Sequence, residues 1–169
     1  VALAFLYGDL FERVVYRTRP YETEEGAVDA LHKEWLDRIQ PNVKNGSFHE
    51  FKRNVAKIVE DFDNIPLTAE KKPRVAIVGE ILVKYSPIAN NNIVRVLENE
   101  GAEVVCPDIV GFMNYSLYNQ VYKYDHLGGS KKSKVLAELA IKMIRLCEKP
   151  MNEALKNSER FDGIEAELA

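Results

Sequence analysis

The chain has 169 residues, 46% of them hydrophobic and 29% charged, with a net charge of −3 and a pI near 5.7. That is the length of one ordinary domain, or a small domain with an appendage, and the composition of a globular protein. The acidic balance, with no face-sized basic block, excludes a nucleic-acid footprint, and no apolar run reaches the roughly 18 residues that would span a bilayer.

Residues 1–6 carry neither an initiator Met nor a charged leader, so they do not read as a secretory signal. With the amphipathic stretch at 163–169, they read as cut ends, and an excerpt from a longer protein is expected. The two cysteines, Cys106 and Cys147, suit a reducing cytoplasm better than a disulfide scaffold. They fall short of the four-thiolate cage of an iron–sulfur cluster, and His32, His49 and His126 lack zinc spacing. No metal site is expected within this chain.

Leu3, Leu6, Leu10, Val14 and Val15 recur at helical spacing. A basic turn over 17–22 follows, where Pro20 biases Arg19 away from helix. Thr23 is the expected cap of a second helix with Glu24 and Glu25 in its first turn. Its apolar face is Val28, Leu31, Trp35 and Ile39, and it should stop before Pro41. Ser47 with Glu50 reads as a capping box for a third helix, with Phe48, Phe51, Val55, Ile58, Val59 and Phe62 as its buried stripe. The polar linker at 65–73, with Pro66 and Pro73, is the main boundary.

Periodicity then changes. Residues 74–79 form a β-branched run ending in Gly79, as in a buried parallel strand. Residues 92–100 read as a helix ended by Gly101, and 103–106 as a second strand closed by Pro107. This order implies a parallel crossover. The Tyr-rich 109–124 region is expected to be helical but broken near Gly111 and Asn114. After a turn at 126–129, Ser130 can cap a long helix to about Cys147, interrupted by Pro150 and resumed over 151–161. The expected fold is α/β: a helical section at 1–72, a Rossmann-like βαβ unit at 73–128 with a partial parallel sheet, and flanking helices at 129–169.

Ligands of open parallel sheets bind beyond the carboxyl ends of the strands. Here that place is the 79–92 loop, far longer than the roughly 2–6 residues usual for such a connection. Gly79, Glu80, Lys84, Ser86, Asn90, Asn91 and Asn92 are its candidate ligand contacts, suited to a small phosphate-like or carboxylate anion beside a helix start. The alternative is structural, with Asn90 capping the helix and Glu80 paired to Lys84. No catalytic residue is singled out, and neither GxGxxG nor GxxxxGK[ST] occurs. Weaker candidates are an Arg17, Arg19 and Tyr21 clamp, the Tyr115, Tyr118, Tyr122 and Tyr124 series, and an Asp125–His126 pair. Trp35 reads as core or an inter-domain contact.

Residues 72–92, with Leu97, Glu98 and 100–105 after them, and the segments 16–22 and 61–67, together resemble the acyl-CoA dehydratase activase-related proteins. These belong with the 2-hydroxyglutaryl-CoA dehydratase system. The resemblance covers residue 16 to about 118 and rests on the Val78-Gly79-Glu80, Lys84, Pro87 and Asn90-Asn91 pattern. It implies a protein with an ATP-hydrolysing activator region and a dehydratase-like region of Rossmann-type lobes. The latter, where active, holds a cysteine-ligated [4Fe–4S] cluster.

By resemblance this chain belongs to the dehydratase-like region. ATP and cluster would then be handled elsewhere in the parent protein, with no cofactor in this chain and no cluster ligand assigned to Cys106. Expected partners are other domains of the parent, dehydratase subunits or acyl-CoA, with no nucleic acid and no membrane. The rivals are an interaction module without ligand and a flavodoxin-like nucleotide binder.

Overall fold

The computed structural model describes residues 2–162. It is mostly helical, with a small two-stranded parallel sheet. In chain order the elements are α1 (Ala2–Thr18), α2 (Ala27–Asn45), α3 (Phe48–Asp63), β1 (Arg74–Ala76), α4 (Ile81–Tyr85) and α5 (Ile93–Asn99). β2 (Glu103–Val105), α6 (Ile109–Leu127) and α7 (Lys131–Lys156) follow, and a 3-10 turn, Arg19–Tyr21, closes α1. The amphipathic stretch expected at 163–169 lies outside the described residues. Among the described residues no helix is long and apolar enough to cross a membrane.

The apolar stripes of α1, α2 and α3 meet in one cluster that includes Leu10, Val14, Val28, Trp35, Phe51, Ile58 and Phe62. Val110 of α6, Met151 and Leu155 of α7, and Phe161 join the same cluster. Phe48 and Leu31 are exceptions to the expected stripes: Phe48 is exposed and Leu31 only half-buried. Burying whole Leu, Ile and Phe side chains contributes about 1.5–3 kcal/mol each, so this cluster dominates the stability of the fold.

Caps and prolines behave differently from expectation. Thr23 does not cap α2. Its N–H donates to the Pro66 carbonyl, while the Glu22 carboxylate accepts from the N–H groups of Gly26 and Val28 at 3.0 and 2.8 Å. Glu24 and Glu25 therefore precede the helix rather than form its first turn. α2 also runs through Pro41 to Asn45. The reason lies one residue on: Asn42 is fully buried, accepts from the Tyr7 hydroxyl at 2.7 Å and donates to the Ser47 carbonyl at 2.9 Å. Fixing Asn42 in helical register offsets the roughly 3 kcal/mol that an internal proline costs. Tyr7→Phe, which strands the Asn42 oxygen, is expected to lower stability by about 1–2 kcal/mol in urea titration. A change under about 0.3 kcal/mol would mean the bond is dispensable.

α7 likewise continues through Pro150, because Met151 and Leu155 beyond it are buried in the core. α6 is not broken at Gly111 or Asn114. Its first turn is held by two carboxylates. Asp108 accepts from the Gly111 N–H at 2.6 Å, and Asp9 of α1 accepts from Ile109 and Val110 at 3.1 and 2.9 Å. A Cβ at position 111 would lie 2.5 Å from the Asp108 carboxylate, so glycine is what permits this approach. His126 sits inside α6, and Gly128 in left-handed conformation ends that helix.

In the sheet, Arg74, Val75 and Ala76 pair in parallel register with Glu103, Val104 and Val105. The strands are shorter than the 74–79 and 103–106 runs of the sequence. A pair this small is not independently stable, and ion pairs fasten it to the helical layer. Glu103, side chain 4% exposed, accepts from Arg17 at 2.5 Å, Arg74 at 2.9 Å and the Tyr21 hydroxyl at 2.7 Å. Arg19 forks onto Glu98 of α5 and also reaches Asp29 of α2, which Arg95 meets from α5. The arginines of the 17–21 turn are thus spent on neighbouring elements rather than poised as a clamp.

α6 and α7 pack as a hairpin whose base, Val110 with Met151 and Leu155, joins the core. α7 has a second apolar stripe, Val135, Leu136, Leu139, Met143 and Leu146, left exposed on its far side. Tyr115, Tyr118 and Tyr122 are exposed on α6, and Arg145 donates to the Tyr118 hydroxyl. Asp125 pairs with Lys134 at 2.6 Å and the His126 ring packs at a tilt against Tyr122, so these two neighbours do not converge.

Candidate functional site

The 79–92 segment is not a simple loop. Glu80 caps α4, its carboxylate accepting from Leu82 and Val83, so it points along the backbone rather than at Lys84. Ser86 accepts from the Ala89 N–H. Asn90 accepts from the Ile93 N–H and donates to the carbonyls of Val83 and Lys84. Asn90 thereby ties α4 to α5, while Asn91 and Asn92 take left-handed backbone. The capping role foreseen for an Asn is real. α5, however, has seven residues and its first N–H is already taken, which leaves little of a helix-end anion site.

What this segment does build is the wall of a cleft. A cavity of about 660 Å³ lies between it and the α1–α2 pair, and its lining is mainly apolar. Of the seven loop candidates, Lys84, Asn90 and Asn92 line it; Gly79, Glu80, Ser86 and Asn91 do not. The volume is in the range of small-molecule sites. Phe11, Leu36, Ile39 and Val43 supply an apolar side, and Lys44 is exposed at the mouth.

Lys84 is the unusual residue. It is 9% exposed, its Nζ sits 4.6 Å from the centre of the Tyr85 ring, and its ammonium has no hydrogen-bond or ion-pair partner among the described residues. Buried ammonium groups are ordinarily paired, because desolvating a charge is expensive. The Tyr85 ring gives it some cation–π compensation, and the Tyr85 hydroxyl is itself held by the Pro107 carbonyl.

Across the cavity stands a line of polar residues on α1: Asp9, Glu12, Tyr16 and Arg19. Burial, then the nearby charges of Asp9 and Asp108, push the Glu12 carboxyl up to about 8, against the opposing pull of Lys84. Its Oε2 is buried without a hydrogen-bond partner. Burial and Asp108 raise Asp9 to about 6, although the α6 N–H groups favour its ionised form. Burial, followed by Glu12, pushes the Cys106 thiol up to about 12, so it is a protonated thiol at neutral pH and a poor nucleophile. Burial raises Tyr16 and Tyr85 as well, and lowers His32, whose ring packs at a tilt against Phe11.

Glu12 and Asp9 escaped the sequence reading. The signal was present, since positions 9, 12, 16 and 19 step by three and four residues along one face of α1. It was masked because the apolar stripe of the same helix accounts for its folding. Among the described residues no three His, Cys, Asp or Glu side chains are grouped to hold a metal.

No family model, curated protein or solved structure matches the chain. Fold and site therefore define a class only: a helix-dominated α/β domain with a mainly apolar cleft in which Lys84 is buried without an ion-pair partner among the described residues.

Proposed function

We propose that this chain is the dehydratase-like portion of an acyl-CoA dehydratase activase-related protein, and that its cleft receives the acyl end of a CoA thioester. The observation that carries this reading is Lys84, a buried lysine without an ion-pair partner among the described residues, on the wall of a mainly apolar cleft of acyl-group size. Such a site asks for a ligand with an apolar body and a negatively charged or strongly polarised oxygen.

The segments that bear the resemblance support it. Tyr16, Arg19, Lys84, Tyr85, Pro87, Asn90 and Asn92 line the cavity. Glu98 and Glu103 hold its walls through Arg19, Arg17 and Tyr21. In this reading the two-stranded sheet with its crossover is part of a Rossmann-type lobe, in a cytoplasmic protein. ATP hydrolysis and the [4Fe–4S] cluster belong to other regions of the parent. The two thiols described here lie on separate elements and do not fit a four-thiolate cluster, so no step is drawn through one. The exposed α7 stripe favours a second role for the same chain, as a surface that docks against other domains of the parent.

Calorimetric titration with hexanoyl-CoA, and with CoA as the acyl-free comparison, tests the assignment. Lys84→Ala is expected to weaken hexanoyl-CoA binding about 10–100-fold, the worth of a charge-assisted hydrogen bond. Asn91→Ala, outside the cleft, should leave it unchanged. Equal affinity for CoA and hexanoyl-CoA, or an unaffected Lys84→Ala variant, would sink the reading.

A further inference from the structure

Lys84 and Glu12 share one cavity without closing on each other: no ion pair joins them, Glu12 has a buried carboxylate oxygen without a hydrogen-bond partner, and Lys84 is a buried residue whose only close contact for its ammonium is the Tyr85 ring. The other charged groups around Glu12 are already committed. On α1, Arg13 is paired with Asp108, Asp9 holds the first turn of α6, and Arg19 is held by Glu98 and Asp29. Burial disfavours ionisation of Tyr16, Tyr85 and Cys106, and burial with the nearby Arg19 charge lowers the His32 pKa on the α2 side. Lys84 is thus the buried cation of this cavity that has no ion pair among the described residues, Lys44 being exposed at the mouth.

We propose that ionised Glu12 and an anionic ligand compete for Lys84, so that the cleft takes up an anion together with a proton on Glu12. This rests on the cleft being a ligand site. With Glu12 neutral, Lys84 carries an uncompensated charge in an apolar cavity, and an entering carboxylate or phosphate oxygen compensates it. With Glu12 ionised, that compensation is already present, and the ligand would add a second negative charge beside Glu12 and Asp9 in a medium of low dielectric. The protonated carboxyl also offers the ligand oxygen a hydrogen-bond donor that the carboxylate lacks. Burial of Glu12 places this exchange near physiological pH.

The test uses hexanoate, whose tail suits the apolar wall, and inorganic phosphate as the anion without one. Affinity is followed by NMR titration between pH 6.5 and 9. Hexanoate affinity is expected to fall by up to about tenfold per pH unit once Glu12 ionises. Glu12→Gln, a neutral donor of the same shape, should bind as wild type does at pH 6.5 and keep that affinity at pH 9. A second measurement needs no variant: calorimetry of wild type at pH 8.5 in two buffers of different ionisation enthalpy should show uptake approaching one proton per hexanoate bound.

Binding that is abolished by Lys84→Ala but shows no proton uptake and no flattening in Glu12→Gln overturns the competition and leaves the ligand site standing. Binding insensitive to Lys84→Ala, or none at all, overturns both. Phosphate bound in preference to hexanoate removes the acyl assignment, and competition is then judged by the same proton uptake on phosphate.

Discussion

Glu103→Ala is expected to lower the stability of the protein by about 3 kcal/mol, a fall in melting temperature of about 6–12 °C for a chain of this length. Glu103 begins β2 and is nearly inaccessible, yet three groups from three different segments converge on it: Arg17, Tyr21 and Arg74. Removing the carboxylate leaves Arg17 facing a buried cavity and leaves the Tyr21 hydroxyl without its acceptor. Arg17 and Arg74 are partly solvated, at 27% and 37% exposure, which keeps the loss at the lower end of the range for buried pairs. Glu103→Gln, which preserves volume and one acceptor, should cost about half as much. Urea denaturation resolves the difference. An alanine variant within 0.5 kcal/mol of wild type, taking about 0.5 as the usual scale of surface substitutions, would show that the sheet is not anchored through this residue.

The second large effect is on the pH dependence of stability. A carboxyl whose folded-state pKa lies above its unfolded value contributes stability that is fully present below the unfolded pKa. That contribution disappears as pH climbs through the folded value. For Glu12 the window runs from 4.5 to about 8, and for Asp9 from 3.8 to about 6. These two carboxyls should therefore withdraw stability as pH rises from about 4 to about 8, opposite in sign to the arginine-paired Asp29, whose pKa is lowered. Glu12→Gln removes the larger share. It should match wild type at pH 4 and exceed it by about 2 kcal/mol at pH 9. Denaturation midpoints at both pH values decide the matter, and a difference that does not change with pH would place Glu12 in contact with solvent.

Much of this fold can be read from the periodicity of the sequence, and the failures have a common cause. The stripes of α1 and α3, the Ser47 cap, the parallel strand pair and the helix after Asn92 all follow from local pattern. Pro41 and Pro150 were read as breaks because a proline's local cost is visible in sequence, whereas the buried Asn42, Met151 and Leu155 that outweigh it are known only in three dimensions. The same holds at the site. Lys84 stood out as a polar residue in a long connection. Glu12, across the cleft from it, lies some seventy residues earlier on a helix whose apolar stripe already explains that helix's folding. Glu80, the other charged residue of the connection, was consumed by a cap that only the short α4 reveals.

The reach of Asp9 bears on how the protein is made. Its carboxylate closes the first turn of α6 from 100 residues earlier in the chain. At synthesis rates of about 5–20 residues per second, α1 emerges roughly 5–20 s before the element it caps. Throughout that interval the α1 face destined for α6 and β2 has no native partner, and only α2 and α3 are available to shelter its stripe. Completion of α6 therefore waits on a long-range docking step, even though most of the helical layer can form from contacts local in sequence. Truncation between α3 and α6 would leave a three-helix product with an open seam, prone to associate through it.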